Sequence, residues 1–374
     1  MAYKIAQINS VILRGDAISN IMRATHDINI SQGYQDTLIV DLFSEYDDVL
    51  TLAEYDYDKS PLISKLAYFF PRFMQLDNKI GWLKQYLVAR RRYRPGIAKS
   101  IIENADVRIW HYGAFYTLFR QFHAKDILYY ANITYPYLSN FSEFGMFSKN
   151  MLQATLDLEP FAIAQSNFTK RNLMSLGFPE DRIHILPLFH KYNLPYITRN
   201  PSTPRLLAWG RYAKNKAIPE LVEACNQCKL HLRVFGDNNQ LKEFREQYSE
   251  AVQKNTRGYA ELSGKIMDFE AELNKANIYV CNSYHEGFNM PLIEAEAHSL
   301  PVLARRGTAM DELVKDGYNG FLFDDISEVP VLVDKIMRNY AAMSRNAWQH
   351  SQNYTFSKYK ERYLRILEEY QAVK

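Results

Sequence analysis

Apolar and polar positions along the chain change rhythm repeatedly, and each change marks a step from strand to turn to helix. Residues 4–8 form a short apolar run. After a loop containing Arg14-Gly15-Asp16, the apolar residues Ile18, Ile21, Met22 and Ile28 recur at helical spacing. Gly33 ends that helix, and residues 37–41 read as the next strand. Strand, glycine loop, helix and strand in this order open a Rossmann-like α/β unit. The loop lacks G-x-G-x-x-G, so a dinucleotide cofactor is not indicated. Residues 107–111 and 126–130 predict two more strands, each running into a polar loop. Residues 161–165 predict another, followed by a helix over 167–176 stopped by Gly177 and a short strand over 182–186.

The stretch that follows has few periodic apolar positions and is punctuated by Pro187, Pro195, Pro201 and Pro204, which marks a linker. The alternation then starts again. Residues 206–209 predict a strand, 219–230 a helix, 231–235 a strand, 241–252 a charged helix, 276–282 a strand and 301–304 another. The last forty or so residues read mainly as helix, with Tyr359, Tyr363, Leu364, Ile366 and Leu367 on one apolar face. The expected organisation is α/β in two Rossmann-like domains, 1–190 and 205–352. A linker at 191–204 joins them, and a C-terminal helix over 353–374 packs on the first.

Chemistry concentrates after the strand at 276–282. Tyr284-His-Glu-Gly-Phe-Asn-Met-Pro-Leu-Ile-Glu-Ala-Glu296 reads as a glycine-bearing turn leading into a helix, with Pro291 in its first turn, where a missing N–H is harmless. That geometry turns the amides of Gly287, Phe288, Asn289 and Met290 toward one crevice, backed by the positive end of the helix dipole, and suits a phosphate. Glu286 and Glu294 flank this anion site. Two carboxylates fit there when they grip hydroxyls, and a sugar nucleotide carries both hydroxyls and phosphates. On the second domain's first strand, Trp209-Gly-Arg-Tyr-Ala-Lys-Asn-Lys216 puts Arg211 and Lys216 at the carboxyl end, where a guanidinium fork and a point charge can neutralise a diphosphate.

Composition narrows the class. The chain has 374 residues, 47% of them hydrophobic, enough for two cores, and a net charge of +3 that gives no footing for nucleic-acid binding. Three cysteines argue against a disulfide framework and for a reducing compartment, so the protein is expected in the cytoplasm. Cys225 and Cys228 form a C-x-x-C inside a helical pattern, which reads as helix packing ahead of a redox pair. Residues 65–94 mix Phe, Tyr and Trp with Lys and Arg. They suit an anionic membrane surface and suit a solvated basic helix with an aromatic inner face equally well.

Gly210-Arg211 with Lys216, Phe235-Gly236, Glu286-Gly-Phe-Asn-Met-Pro-Leu-Ile-Glu294, Pro301-Val302, Asp311-Glu312 and Asp316-Gly-Tyr-Asn-Gly-Phe321 together resemble the retaining GT-B glycosyltransferases of family 4. The resemblance is dense over 205–325 and thinner toward the N-terminus. It implies two Rossmann-like domains facing across a cleft, with the C-terminal helix crossing back to the first. It also implies that Glu294 holds the donor's ribose and that Arg211 and Lys216 hold its diphosphate. Glu286 and the amides after Gly287 would hold the transferred sugar. Gly236 would belong to the donor site, Gly264 and Lys265 would line the base, and Gly15 would approach the phosphate. Asp16, His111 and Asn132 become acceptor or sugar candidates. The chain departs from the pattern at Tyr130-Ala-Asn-Ile-Thr-Tyr-Pro136, where many family members carry a histidine in place of Ala131. It also departs at the reduced Gly15 loop and at His298-Ser299, where small residues are common.

The expected activity is metal-independent, retaining transfer of a hexose to a saccharide or lipid-linked saccharide of a cell-surface polymer. The donor would be a nucleotide sugar of the GDP-mannose or UDP-glucose type, and no cofactor is expected. A catalytically silent sugar-nucleotide-binding or scaffold subunit is the alternative, resting on Ala131. A glycoside hydrolase using Glu286 and Glu294 is disfavoured. Eight residues of helix span about 12 Å at 1.5 Å per residue, beyond the roughly 5–9.5 Å such pairs need.

Overall fold

Parallel strands need crossovers long enough to hold a helix, and the apolar runs of this chain are spaced for that. The computed structural model describes residues 3–12, 17–44, 46–51, 97–111, 126–130, 153, 155–236 and 258–373. The chain divides into two compact units, Met1–Leu186 with Arg362–Lys374, and Pro187–Glu361. The expected helix at 241–252 and the basic aromatic stretch at 65–94 lie outside the described residues.

In the first unit, β1 (Lys4–Ile12), β2 (Gln35–Ser44), β3 (Leu50–Thr51), β4 (Val107–His111), β5 (Asp126–Tyr130), β6 (Phe161–Ala164) and β7 (Ile183–Ile185) form one sheet. Its order is β3-β2-β1-β4-β5-β6-β7, with every pairing parallel. Helices α1 (Ala17–Ser31), α2 (Ile97–Asn104) and α3 (Asn167–Ser175) fall between them. Every residue of β4 and β6 is buried, as expected of strands covered on both faces. Ile8, Ile39, Trp110, Leu128, Ala162 and Leu173 share one core cluster. Buried on the same sheet, Arg108 and Asp126, paired across β4 and β5, are joined by bonds of 2.5 and 2.8 Å, and the Trp110 indole donates to the same carboxylate at 3.0 Å.

The second unit repeats the plan with β8 (Arg205–Trp209), β9 (His231–Phe235), β10 (Ala260–Ser263), β11 (Ile278–Cys281), β12 (Val302–Arg305) and β13 (Gly320–Phe323), in the order β10-β9-β8-β11-β12-β13, all parallel. The helices are α4 (Ile218–Gln227), α5 (Phe269–Lys275), α6 (Met290–Ala297), α7 (Met310–Leu313), α8 (Val329–Arg338), α9 (Tyr340–Ser351) and α10 (Phe356–Val373). Both sheets wind outward from their first strand and then reverse to place the fourth on its other side. In the second unit this switch lies between β8 and β11, and ligands of doubly wound sheets bind outside the carboxyl ends at such a point.

Helix α10 starts in the second unit, where Phe189 packs on Phe356 and Tyr359 at 5.3 and 4.7 Å. Its later turns belong to the first. There the Tyr363 hydroxyl donates to Asn29 at 3.0 Å, Tyr370 meets Phe161 edge-on at 5.4 Å, and Glu369 pairs with His184 at 2.9 Å. The Asp316–Phe321 motif works as a fastener for α6. Asn319 donates to the fully buried Glu296 at 2.5 Å, and His350 lies 2.8 Å from that carboxylate's other oxygen. Burial pushes the Glu296 carboxyl up, while the His350 and Asn319 hydrogen bonds pull it back down.

Candidate donor-binding site

Helix α6 begins where the sequence places it, and its start is held by side chains. Asn289 is its N-cap, accepting the Leu292 amide at 2.8 Å, while its own amide group donates to the Cys281 sulfur at 3.1 Å. The Tyr279 hydroxyl donates to the same Asn289 oxygen at 3.2 Å. Asn289 is therefore tied up in shaping the turn, and Phe288 is buried edge-on to Tyr354 at 5.8 Å. Gly287 precedes Phe288, and Met290 is the first helical residue. The Glu286 carbonyl accepts the amide of Ala309 at 3.1 Å, pinning the loop from its other side. The Glu286 side chain forms an ion pair with Lys216, and both are only partly exposed.

Lys216 closes a 3-10 turn over Lys214–Lys216 and is followed by Ala217, whose φ of 47° is left-handed. Arg211 sits just upstream on the same edge of the sheet. It is exposed, and its guanidinium has no hydrogen bond or ion pair among the described residues. Arg211 and Lys216 line one crevice with Trp209, Tyr279, Cys281 and Ser283. Gly210 donates its amide to Phe235 at 3.0 Å, and Gly236 donates to Gly264 at 3.2 Å, so the ends of β8, β9 and β10 are laced together. A Cβ on Gly236 would fall 2.5 Å from the Tyr212 ring and 2.6 Å from the Gly210 carbonyl, so packing alone demands glycine there. Gly264 and Lys265 follow β10 on the same edge.

Glu294 lies one turn into α6. Burial pushes its carboxyl up to about 7, opposed by Lys191 and by a hydrogen bond from the Trp209 side chain. Tyr192 stacks over Phe269 at 6.2 Å and meets His298 edge-on at 4.4 Å, walling this side of the acid. His298 is buried, with Nδ1 2.8 Å from the Glu294 carbonyl and Nε2 3.2 Å from Glu270. Ser299 adopts a φ of 63° and accepts the Ile197 amide at 2.9 Å. His298-Ser299 thus braces the helix end.

Among the first-unit candidates, His111 ends β4 with 2% exposure, and its Nε2 is 2.6 Å from the Gln7 Oε1. Because the Gln7 amide nitrogen donates to Asp36 at 2.5 Å, its Oε1 must accept, which fixes the Nε2–H tautomer. Burial holds this imidazole down to about 3, so it stays neutral at physiological pH. Gly15, Asp16, Ala131 and Asn132 lie outside the described residues.

Sequence patterning did not point to Asn215, Asn282 or Arg305. Asn215 accepts the Tyr284 amide on its carbonyl at 2.8 Å, and its side chain donates to His285 at 3.3 Å. The only legible signal was an asparagine directly after a strand. A larger concavity of this unit opens at the strands' amino ends, lined by Arg205, His231, Arg233, Glu272 and Lys275, away from the glycine turn. Among the described residues no three His, Cys, Asp or Glu side chains gather as a metal site. No helix among them is long and apolar enough to cross a membrane.

Residues 203–341 match the family model described as Glycosyl transferases group 1. A curated relative, an uncharacterized glycosyltransferase of Methanocaldococcus jannaschii, is 33% identical over 115 residues, 30% of this chain and 32% of the relative. The chain thus matches about a third of that relative's length. Whole-chain similarity comes from solved structures. Sucrose-phosphate synthase of Thermosynechococcus elongatus superposes with a TM-score of 0.72 at 17% identity, covering 100% of both chains. Anabaena HepE, solved in complex with UDP and glucose, superposes with a TM-score of 0.63 at 16% identity, covering 98% of this chain and 99% of that one. The architecture is the GT-B fold of two parallel α/β sheets.

Proposed function

We propose that the protein is a retaining glycosyltransferase that takes a hexose from a nucleotide sugar, with a saccharide or lipid-linked saccharide as acceptor. The observation that carries this reading is the convergence of Arg211, the Lys216–Glu286 pair and Glu294 on the carboxyl edge of one sheet, at its switch point. Arg211, without a side-chain partner among the described residues, offers a fork to a diphosphate. Glu294, once ionised, accepts two ribose hydroxyls. Lys216 moves from Glu286 alone to sharing the leaving phosphate, and Glu286 keeps the sugar's hydroxyls in place.

In the reaction, the acceptor oxygen bonds to the anomeric carbon on the face from which the diphosphate departs. The carbon–phosphate-oxygen bond breaks, and the hydroxyl proton passes to the departing phosphate. Charge that grows on the diphosphate meets Arg211, Lys216 and the start of α6, so these groups act most strongly as the bond breaks. No metal is required in this scheme. A uridine donor is favoured by the UDP found with Anabaena HepE.

The test is release of UDP from UDP-glucose, and of GDP from GDP-mannose, by the full chain and by Arg211→Ala and Glu294→Ala. Loss in both variants supports the donor site, and unchanged turnover in both removes it. Product anomeric configuration by NMR decides retention.

A further inference from the structure

Arg305, the last residue of β12, is tied to both segments that carry the Lys216–Glu286 pair. Its Nε donates to the Asn282 Oδ1 at 2.9 Å, and its Nη1 donates to the Asp324 carbonyl at 2.8 Å. The same guanidinium lies 4.6 Å over the Tyr284 ring and 5.4 Å over the Phe323 ring. Asn282 is 2% exposed, and its other polar atom, Nδ2, donates to the Ala217 carbonyl at 2.9 Å. Ala217 holds a left-handed φ of 47°, a conformation that a residue with a Cβ keeps only when its surroundings enforce it. Lys216 is its immediate neighbour.

The connections form a closed frame. From Arg305 one path runs through Asn282 to Ala217 and so to Lys216. The other runs through the Tyr284 ring to the loop that continues into His285 and Glu286. The frame is closed between turn and loop by the Tyr284 amide on the Asn215 carbonyl and by the Asn215 side chain on the His285 carbonyl. A planar fork with two nitrogens already committed at 2.8–2.9 Å and its face on an aromatic ring is a rigid spacer.

We propose that Arg305 is a positioning residue for glycosyl transfer, one that fixes the Lys216 turn against the Glu286 loop by bracing Asn282 and Tyr284. The inference rests on the donor-site reading above for its catalytic consequence, but its structural part stands apart from it. Positional errors near 1 Å at reacting groups lower turnover by about 100-fold, so a loosened frame is read in kcat. A direct donor contact would be read in KM.

Two measurements on the full chain test it. In the first, lysine acylation by N-hydroxysuccinimidyl acetate is followed by peptide mass spectrometry, with exposed Lys214 as the internal reference. In Arg305→Ala the Lys216-to-Lys214 labelling ratio is expected to rise several-fold with Tm within a few degrees of wild type. An unchanged ratio overturns the brace. In the second, UDP release from UDP-glucose and GDP release from GDP-mannose are measured for wild type, Arg305→Ala and Arg305→Lys. Both variants are expected to lose about 10- to 100-fold in kcat with donor KM little changed, because a lysine's single nitrogen reproduces neither the two separated donors of the fork nor its planar face over Tyr284. Full rescue by lysine, or a raised KM with kcat kept, overturns the positioning role. If the wild type turns over neither donor, the donor-site reading fails while the labelling result still decides the brace.

Discussion

Glu294→Gln should make the protein more stable and a poorer binder of donor, and the size of the first effect follows from the burial of the acid. The carboxyl ordinarily ionises near 4.5 and in the folded chain is pushed up to about 7. The difference corresponds to at most about 3 kcal/mol, at 1.36 kcal/mol per pH unit. Partial exposure of the residue to solvent lowers the realised figure. The sign is fixed by the direction of the shift. Below pH 4.5 the acid is protonated in folded and unfolded chains alike. As pH rises toward about 7 the unfolded chain ionises first, so stability drains away, and above about 7 the full penalty is in place.

Glutamine keeps the shape without the ionisation. The Tm difference between Glu294→Gln and wild type should therefore be small at pH 5 and widen to several degrees at pH 8, since about 1 kcal/mol moves Tm by 2–4 °C in a unit of this size. Donor affinity should move the other way. Replacing a charged acceptor of hydroxyl hydrogen bonds should weaken UDP-glucose binding by about 10- to 100-fold. Wild-type affinity should rise with pH up to about 7, where the carboxylate forms. Parallel Tm curves across pH 5–8 for the two proteins would refute the reasoning.

Arg211→Ala should raise donor KM at least about tenfold in the UDP-release assay while leaving Tm unchanged, since this side chain is exposed and has no partner among the described residues. Gly236→Ala drives a methyl into Tyr212 and the Gly210 carbonyl and should lower unfolding free energy in urea by about 1–3 kcal/mol. Asn319→Ala leaves the buried Glu296 short of a donor and the Lys315 amide without its acceptor, and should lower it by about 2–3 kcal/mol.

Period and punctuation made much of the frame readable. The runs at 107–111, 126–130 and 231–235 are strands over those same residues, because each sets at least three β-branched, aromatic or leucine side chains within five positions. Gly33 and Gly177 end their helices at φ values of 78° and 99°. What escaped was short or half-exposed. Residues 260–263 alternate buried and exposed around a glutamate, and 320–323 is a strand of four placed by the turn before it. Helix α5 is only seven residues long.

At the candidate site, Arg211, Lys216, Glu286 and Glu294 stand out in the sequence because charge beside the carboxyl end of a strand has few structural uses, and the fold sets them on one sheet edge. The Lys216–Glu286 contact was not legible, because it joins segments seventy residues apart. Gly236 and Asn289, read as donor contacts, carry visible packing and capping duties of their own. Arg305 hid for the opposite reason. An arginine after a strand reads as surface charge until its fork is seen to span Asn282 and Asp324.

Hydrogen–deuterium exchange of the full chain with and without saturating UDP-glucose, and in parallel GDP-mannose, tests the donor site most directly. Binding at the switch point predicts protection of peptides covering 209–217 and 283–294 with the accepted nucleotide sugar, lost in Arg211→Ala. Protection confined to the concavity at Arg205, His231 and Lys275, or none with either donor, would contradict it.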